Sequence, residues 1–183
     1  MKKLILLLFF LFISNVFADD VATNVLKLKS LNACNGCDLN GADFTTAELT
    51  GVKLAGANLS SAEFPYADLT KAYLFEANFT NAYLLGAYLT GADLTNANLT
   101  DADLTDVTLA NSNLTNANLT GANLLDANLT DAILINSNLT NVNLTGVILI
   151  NSNLTNADLT NAGLTNADLT NATIKDAIFC NTN

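Results

Sequence analysis

The chain of 183 residues has no His, no Arg and no Trp, and only one Pro and one Met. Without His, acid/base work near neutral pH would fall to a shifted carboxylate or a thiol. Without Arg, no planar fork is present to clamp a phosphate through two bonds. The 7 Lys stand against 17 Asp and Glu, a net charge of −10. That balance argues against nucleic acid as a partner, because phosphate neutralisation needs basic residues. Most enzyme classes lose their usual side chains, and no catalytic group, metal or cofactor is expected. The length is that of one domain.

Lys2 and Lys3 precede an unbroken apolar run from Leu4 to Ile13, and Val16-Phe17-Ala18 leads into Asp19 and Asp20. This order predicts a secretory signal peptide over residues 1–18, cleaved after Ala18. Ten apolar residues would make a helix of roughly 15 Å, half the hydrocarbon thickness, so no stable membrane insertion is expected. Cleavage leaves 5 Lys against 17 Asp and Glu, a net charge of −12. The expected location is the periplasm or the extracellular space.

From Leu39 to Phe179 every fifth residue is Leu, Phe or Ile, at 29 consecutive positions. The residue two before each is small or Val, as in Cys37, Ala42, Ala47 and Val52. Asp or Asn most often fills the place between them, followed after the central residue by Thr and then Gly, Asn or Asp. A period of five suits neither a helix at 3.6 nor a strand at 2. Burying two residues in five and turning at Gly, Asn or Asp predicts very short extended segments joined by corners. Four segments close a square coil of twenty residues. The 29 units span 145 residues, about seven coils, and a strand spacing of ~4.8 Å makes a rod about 35 Å long.

Units such as Ala97-Asn98-Leu99-Thr100-Asp101 resemble the A(D/N)LXX units of the pentapeptide-repeat family. The resemblance covers Cys37 to about Asn181 and implies an all-β fold, a right-handed quadrilateral β-helix (a β-solenoid) with the central residues stacked inside. Ahead of it, Val21, Val25 and Leu28 have helical spacing, and Thr23 or Asp20 is a candidate cap. A short N-terminal helix is expected to cover the first coil, since terminal repeats need a polar-faced cap. The organisation read here is a signal peptide over 1–18, a cap over 19–36, the repeat over 37–181 and a tail over 182–183. The last coil shows no equivalent cap, which points to a homodimer through the C-terminal coil by the unpaired-edge argument.

Cys34 falls where a central residue would stand, and Cys37 in a small inward place. The residues leave open two packed thiols, a Cys34–Cys37 disulfide, or redox chemistry, the last disfavoured because this CxxC opens a solenoid and not a helix. Cys180 points outward, about seven coils away and beyond disulfide reach of either. Asp101, Asp103, Asp106 and Asp126 gather near one another. Calcium would need six to eight oxygens, and a solvated corner using Asp as a turn residue is the simpler reading. Ser112, Ser137 and Ser152 take inward places with no base nearby.

Outward places are mostly polar, so their apolar exceptions carry information. Stacking residues twenty apart gathers Pro65, Tyr66, Tyr83, Leu85 and Tyr88 around the corner between the second and third faces, with Gly86 over Tyr66. These five residues are the expected partner-binding patch. Ile133, Ile135, Ile148 and Ile150 form a second, aliphatic patch diagonally across the next corner. The first face instead stacks Asn58/Ser60, Asn78/Thr80, Asn98/Thr100, Asn118/Thr120, Asn138/Thr140 and Asp158/Thr160 in nearly uncharged ladders.

The leading expectation is a non-catalytic exported rod, a structural or protein-interaction module that binds a protein or another envelope component. The Asn/Thr face offers an alternative, because regular Thr arrays resemble the ice-binding faces of some antifreeze proteins and could equally meet an ordered polysaccharide. The acidic rod also resembles family members that mimic DNA and bind DNA gyrase, a role that the signal peptide opposes.

Overall fold

The structure is a computed structural model that describes residues 20–183; the expected signal peptide lies outside the described residues. From Cys34 onward the chain winds into square coils of twenty residues. Single-residue parallel bridges join each coil to the next, from Ala33 with Lys53 through Asn98 with Asn118 to Asp158 with Ile178. The extended segments expected from the period are thus centred on one bridge residue, because a two-residue corner closes every five-residue unit.

The unit around Leu99 shows why the repeat uses these residue types. Asn98 N–H donates to Ala77 O at 2.9 Å in the preceding coil. Leu99 N–H donates to Asn118 O at 2.7 Å and Asp101 N–H to Thr120 O at 3.0 Å in the following coil. Ala102 N–H closes the corner onto Leu99 O at 3.1 Å. The fifth amide, of Thr100, finds the side-chain oxygen of Asn98 at 3.2 Å. Buried and half-buried amides need partners, and Asn or Asp before the central residue supplies the one that the backbone cannot.

The corner residue explains itself by its dihedral. Asp101 sits at φ 55°, and every corner from Gly36 to Asn181 shares that left-handed conformation. A turn with positive φ at its third residue favours Gly or Asn, with Asp tolerated. Inside, Leu, Phe and the small residues form one continuous buried ladder from Leu39 to Ala162. Phe44 stacks on Phe64 with centroids 4.9 Å apart, and Phe79 tilts against Phe64 at 5.9 Å. Ser112, Ser137 and Ser152 fit among these apolar side chains because each hydroxyl donates to the Leu carbonyl three residues earlier, at 2.6, 2.8 and 2.7 Å.

One helix, α1 (Val21–Leu31), precedes the coils. Asp20 caps it by accepting Thr23 N–H at 2.7 Å, and left-handed Asn32 ends it with its N–H on Leu28 O. Leu28 is buried in the solenoid core, with Val21 and Val25 packed against it. Buried Asn24 donates to Asp38 O at 2.9 Å, and Asn32 donates to Thr50 O at 3.1 Å. These two bonds fasten α1 and its C-cap over the first coil. The last coil has no such cover among the described residues: Leu164, Leu169 and Phe179 are only half-buried, and Ile174 is exposed.

Candidate functional site

The corner between the second face (Phe44, Phe64, Leu84) and the third (Leu49, Leu69, Leu89) stacks Thr46, Tyr66 and Gly86. Tyr66 N–H donates to Leu85 O at 2.9 Å, which fixes the register of that stack. A Cβ added at Gly86 would stand 2.6 Å from Tyr66 Cε1, so the missing side chain is the space the ring occupies. Tyr83 is bridged to Glu63 on one side and Asp103 on the other, and Tyr88 is bridged to Asp68 and Thr108. Tyr66, Tyr83 and Tyr88 are 57, 37 and 51 % exposed, and Pro65 and Leu85 lie half-buried beside them. Asp68 accepts Thr50 Oγ1 at 2.7 Å and Thr70 N–H at 2.9 Å. Bonds from Thr70, and then Thr50, hold its carboxyl below the usual range, so it stays charged beside Tyr88.

These side chains stand where the default letters would be better for folding. Tyr66 is a bulky residue at φ 57°, a conformation in which most side chains are strained. Tyr83 and Tyr88 replace the Asn or Asp that would accept the amides of Leu85 and Thr90. Pro65 follows Glu63 and has no amide to satisfy, which suits a corner whose acceptor is missing.

The second patch reads similarly but smaller. Ile133 and Ile148 are exposed, and Ile135 and Ile150 are half-buried. Ile133 and Ile148 likewise replace the Asx acceptor. Sequence reasoning missed two further aromatics: on the fourth face Tyr73 is 53 % and Phe75 44 % exposed, on either side of Leu74. The same rule of apolar exceptions in outward places could have found them. With them, all four Tyr and the one outward Phe among the described residues fall between residues 66 and 88.

Cys34 and Cys37 are joined by a disulfide and are both buried beneath α1; Lys27 Nζ lies 3.6 Å from Cys37 Sγ. Cys180 is free and exposed. No group of three His, Cys, Asp or Glu side chains converges to hold a metal among the described residues. At two neighbouring corners glycine instead makes room for an acidic side chain: Asp101 leans over Gly121 at the corner after the first face, and Asp126 over Gly146 at the corner after the second. No helix among the described residues is long and apolar enough to cross a membrane.

The first-face ladders are bonded within themselves. Asn98 Oδ1 accepts Thr100 Oγ1–H at 2.6 Å, and Asn118 Nδ2 donates to Thr100 Oγ1 at 2.9 Å. The pattern repeats at Thr80 with Asn98. At the fourth corner Asn96, Asn116, Asn136 and Asn156 form a second amide ladder at 3.0 to 3.1 Å.

A solenoid of five-residue units around a Leu/Phe ladder is the class that this geometry defines. The Pentapeptide repeats profile matches in eight copies over residues 34–65, 72–111, 112–149 and 148–183. The chain belongs to the pentapeptide-repeat family, whose members are right-handed quadrilateral β-helices. It is similar to a pentapeptide repeat protein from the Arabidopsis thaliana thylakoid lumen, at 33 % identity and a TM-score of 0.51, over 51 % of this chain and 66 % of that one. The pentapeptide repeat protein Rfr23 from the cyanobacterium Cyanothece 51142 shares 25 % identity over 89 % of this chain and 98 % of its own, with a TM-score of 0.49. QnrB1, a plasmid-mediated fluoroquinolone resistance protein, shares 18 % over 80 and 81 %, also at 0.49. A comparison with curated protein sequences gives no match.

Proposed function

We propose that the protein is an exported, non-catalytic interaction rod of about seven coils, and that the corner formed by Pro65, Tyr66, Tyr83, Leu85 and Tyr88 is its docking surface. The observation that carries this reading is the cost of the corner. Tyr66 adopts a left-handed backbone that Gly or Asn would occupy at lower energy, a conformation costing roughly 1–2 kcal/mol. Tyr83 and Tyr88 each give up an amide bond worth about 0.5–1.5 kcal/mol. Local strain of this kind concentrates at functional positions. Exposed Tyr also buries large apolar area on contact while keeping a polar tip.

Replacing Tyr66, Tyr83 and Tyr88 together with Ser is expected to leave the β-type circular dichroism spectrum intact and to abolish capture of partners from an envelope extract. Retention of every partner by the folded variant would remove the corner from consideration. The Ile133, Ile135, Ile148 and Ile150 patch serves as a second, purely aliphatic contact in this reading.

The Asn/Thr face supports a second reading, binding of an ordered polysaccharide or ice. Its hydroxyls are already donated to the neighbouring Asn oxygens, which leaves a flat, regular and nearly uncharged surface. Measurable thermal hysteresis, or retention on insoluble polysaccharide that Thr100→Asp with Thr120→Asp abolishes, would establish it. The third reading, a DNA-mimic binder of DNA gyrase, requires a cytoplasmic protein, and recovery of the chain only from the envelope fraction would remove it.

A further inference from the structure

A cavity of about 370 Å³ opens at the α1 end of the same corner. Half-buried Ala47, together with Phe44, Leu49 and Leu28, which are buried, forms the apolar part of the lining. Exposed Asp43 and Glu48 stand on the solenoid side of the opening, and Lys29 on the α1 side.

From the cavity the corner descends coil by coil with a consistent chemistry. Asp43 and Glu48 flank Thr46 in the first coil. Glu63 and Asp68 flank Tyr66 in the second, Tyr83 and Tyr88 flank Gly86 in the third, and Asp103 with Asp106 follow. The bridges place Glu63 directly beside Tyr83, and Asp68 beside Tyr88, one strand spacing of about 4.8 Å away. No Lys occupies an outward place on the second face, the third face or their shared corner. Of the five Lys that follow Ala18, Lys29 stands at the cavity mouth near Asp43, and Lys27, Lys53, Lys71 and Lys175 lie off these two faces and their corner.

We infer that this corner docks a basic segment of a partner protein, which seats an apolar side chain in the cavity and lays its Lys or Arg side chains along the tyrosines and carboxylates below. The inference rests on the reading of the corner as the docking surface and adds the chemistry of what docks there. An ammonium or guanidinium over an exposed Tyr ring is attracted by the ring face, and a neighbouring carboxylate adds to the attraction. Complementary charge also steers the encounter and rejects acidic competitors. A hydrophobic partner alone would gain from the rings but would leave Glu63 and Asp68 beside them uncompensated. The bonds that Asp68 and Asp43 accept from neighbouring Thr keep both carboxyls charged into mildly acidic solution.

The test uses the whole protein and a fluorescent Lys/Leu peptide, with matched peptides in which Gln or Glu replaces every Lys, followed by anisotropy at low and moderate salt. The Lys peptide is expected to bind and the other two are not. Glu63→Gln with Asp68→Asn, and separately Tyr66→Ser with Tyr83→Ser and Tyr88→Ser, should each weaken binding about tenfold or more. Asp158→Asn with Asp168→Asn, the same charge change on distant coils, should leave it unaltered. Circular dichroism of each variant guards against unfolding, and the conservative carboxylate pair keeps the question answerable if the tyrosine variant fails to fold. Equal binding of the Gln peptide, or equal loss from the distant pair, overturns the inference. If the Lys peptide does not bind while envelope capture still depends on the three tyrosines, the basic chemistry is wrong and the docking corner stands. If capture is also indifferent to the tyrosines, both fall.

Discussion

The coil from Ala57 to Glu76 and the coils beyond Leu94 share one fold but use its outward places in opposite ways. In the distal coils nearly every outward choice lowers the energy of the rod: Gly, Asn or Asp at each left-handed corner, and mostly Asn or Asp to accept the fifth amide. In the proximal coil four successive corners are Ser61, Tyr66, Lys71 and Glu76, all at φ between 54 and 58°. Around and just above them lie all the exposed aromatics. The inward ladder is buried and largely apolar in both regions, with Phe64 in the proximal coil and inward Ser112, Ser137 and Ser152 in the distal ones. What the contrast teaches is that the repeat letters are the low-energy default, and departure from them marks where something other than folding chose the residue.

The largest effect should strike what the two regions share. Leu99→Asp buries an unpaired carboxylate in the ladder and is expected to cost about 3–5 kcal/mol or more, enough to unfold a rod of ordinary stability in a urea titration. Thr100→Asp, one residue on and facing outward, should be nearly silent. Equal tolerance of both would mean that the register is wrong. The next effect separates the regions. Cys34→Ser with Cys37→Ser removes a short cross-link worth about 2 kcal/mol by loop entropy. Its loss should raise hydrogen exchange beneath α1 while leaving the Asn113 to Asn153 coils protected; uniform loosening along the rod would contradict the local role.

A smaller effect has the opposite sign. Lys71→Asn and Glu76→Asn bring the default letter to two left-handed corners, and each is expected to stabilise by a few tenths to about 1 kcal/mol. The reverse change in the distal region, Asn96→Lys, should destabilise by a similar amount, read as a shift of the urea midpoint. The smallest effect is on pH. Bonds from Thr70 and Thr50 lower the Asp68 carboxyl, and bonds from Thr160 and Thr170 lower Asp158 and Asp168. A carboxyl with a lowered folded pKa stabilises above its unfolded value near 3.8 and loses that contribution as pH falls through the folded value. Thermal stability should therefore decline below about pH 4. Asp158→Asn with Asp168→Asn keeps the acceptors and should shrink the decline slightly.

Much of this was legible in the residues before any coordinates. The unbroken spacing from Leu39 to Phe179 dictates a coil of twenty, and the helical spacing of Val21, Val25 and Leu28 marks α1. The five side chains around Gly86 follow from stacking alone. What the sequence hid is what depends on turn geometry. That Asn98 satisfies the amide of Thr100 is visible only once the corner dihedrals are known, and so is the cost of placing Tyr83 or Ile133 in that slot. Nothing in the pattern of a short helix marks Asn24 for burial, yet it is buried to meet Asp38 O. Tyr73 and Phe75 lie on the fourth face, away from the corner that stacking around Gly86 gathers. The cavity beside Phe44 is lined from both α1 and the first coil, a meeting that no local pattern encodes.

The most direct test of the contrast is one variant measured twice. Replacing Tyr66, Tyr83 and Tyr88 with Asn returns the corner to the distal pattern, relieving the backbone at residue 66 and offering acceptors to the amides of Leu85 and Thr90. Its urea midpoint should rise above that of the parent while its capture of partners from an envelope extract disappears. A variant that is no more stable, or that is more stable and still holds every partner, would contradict the claim that this coil trades stability for binding.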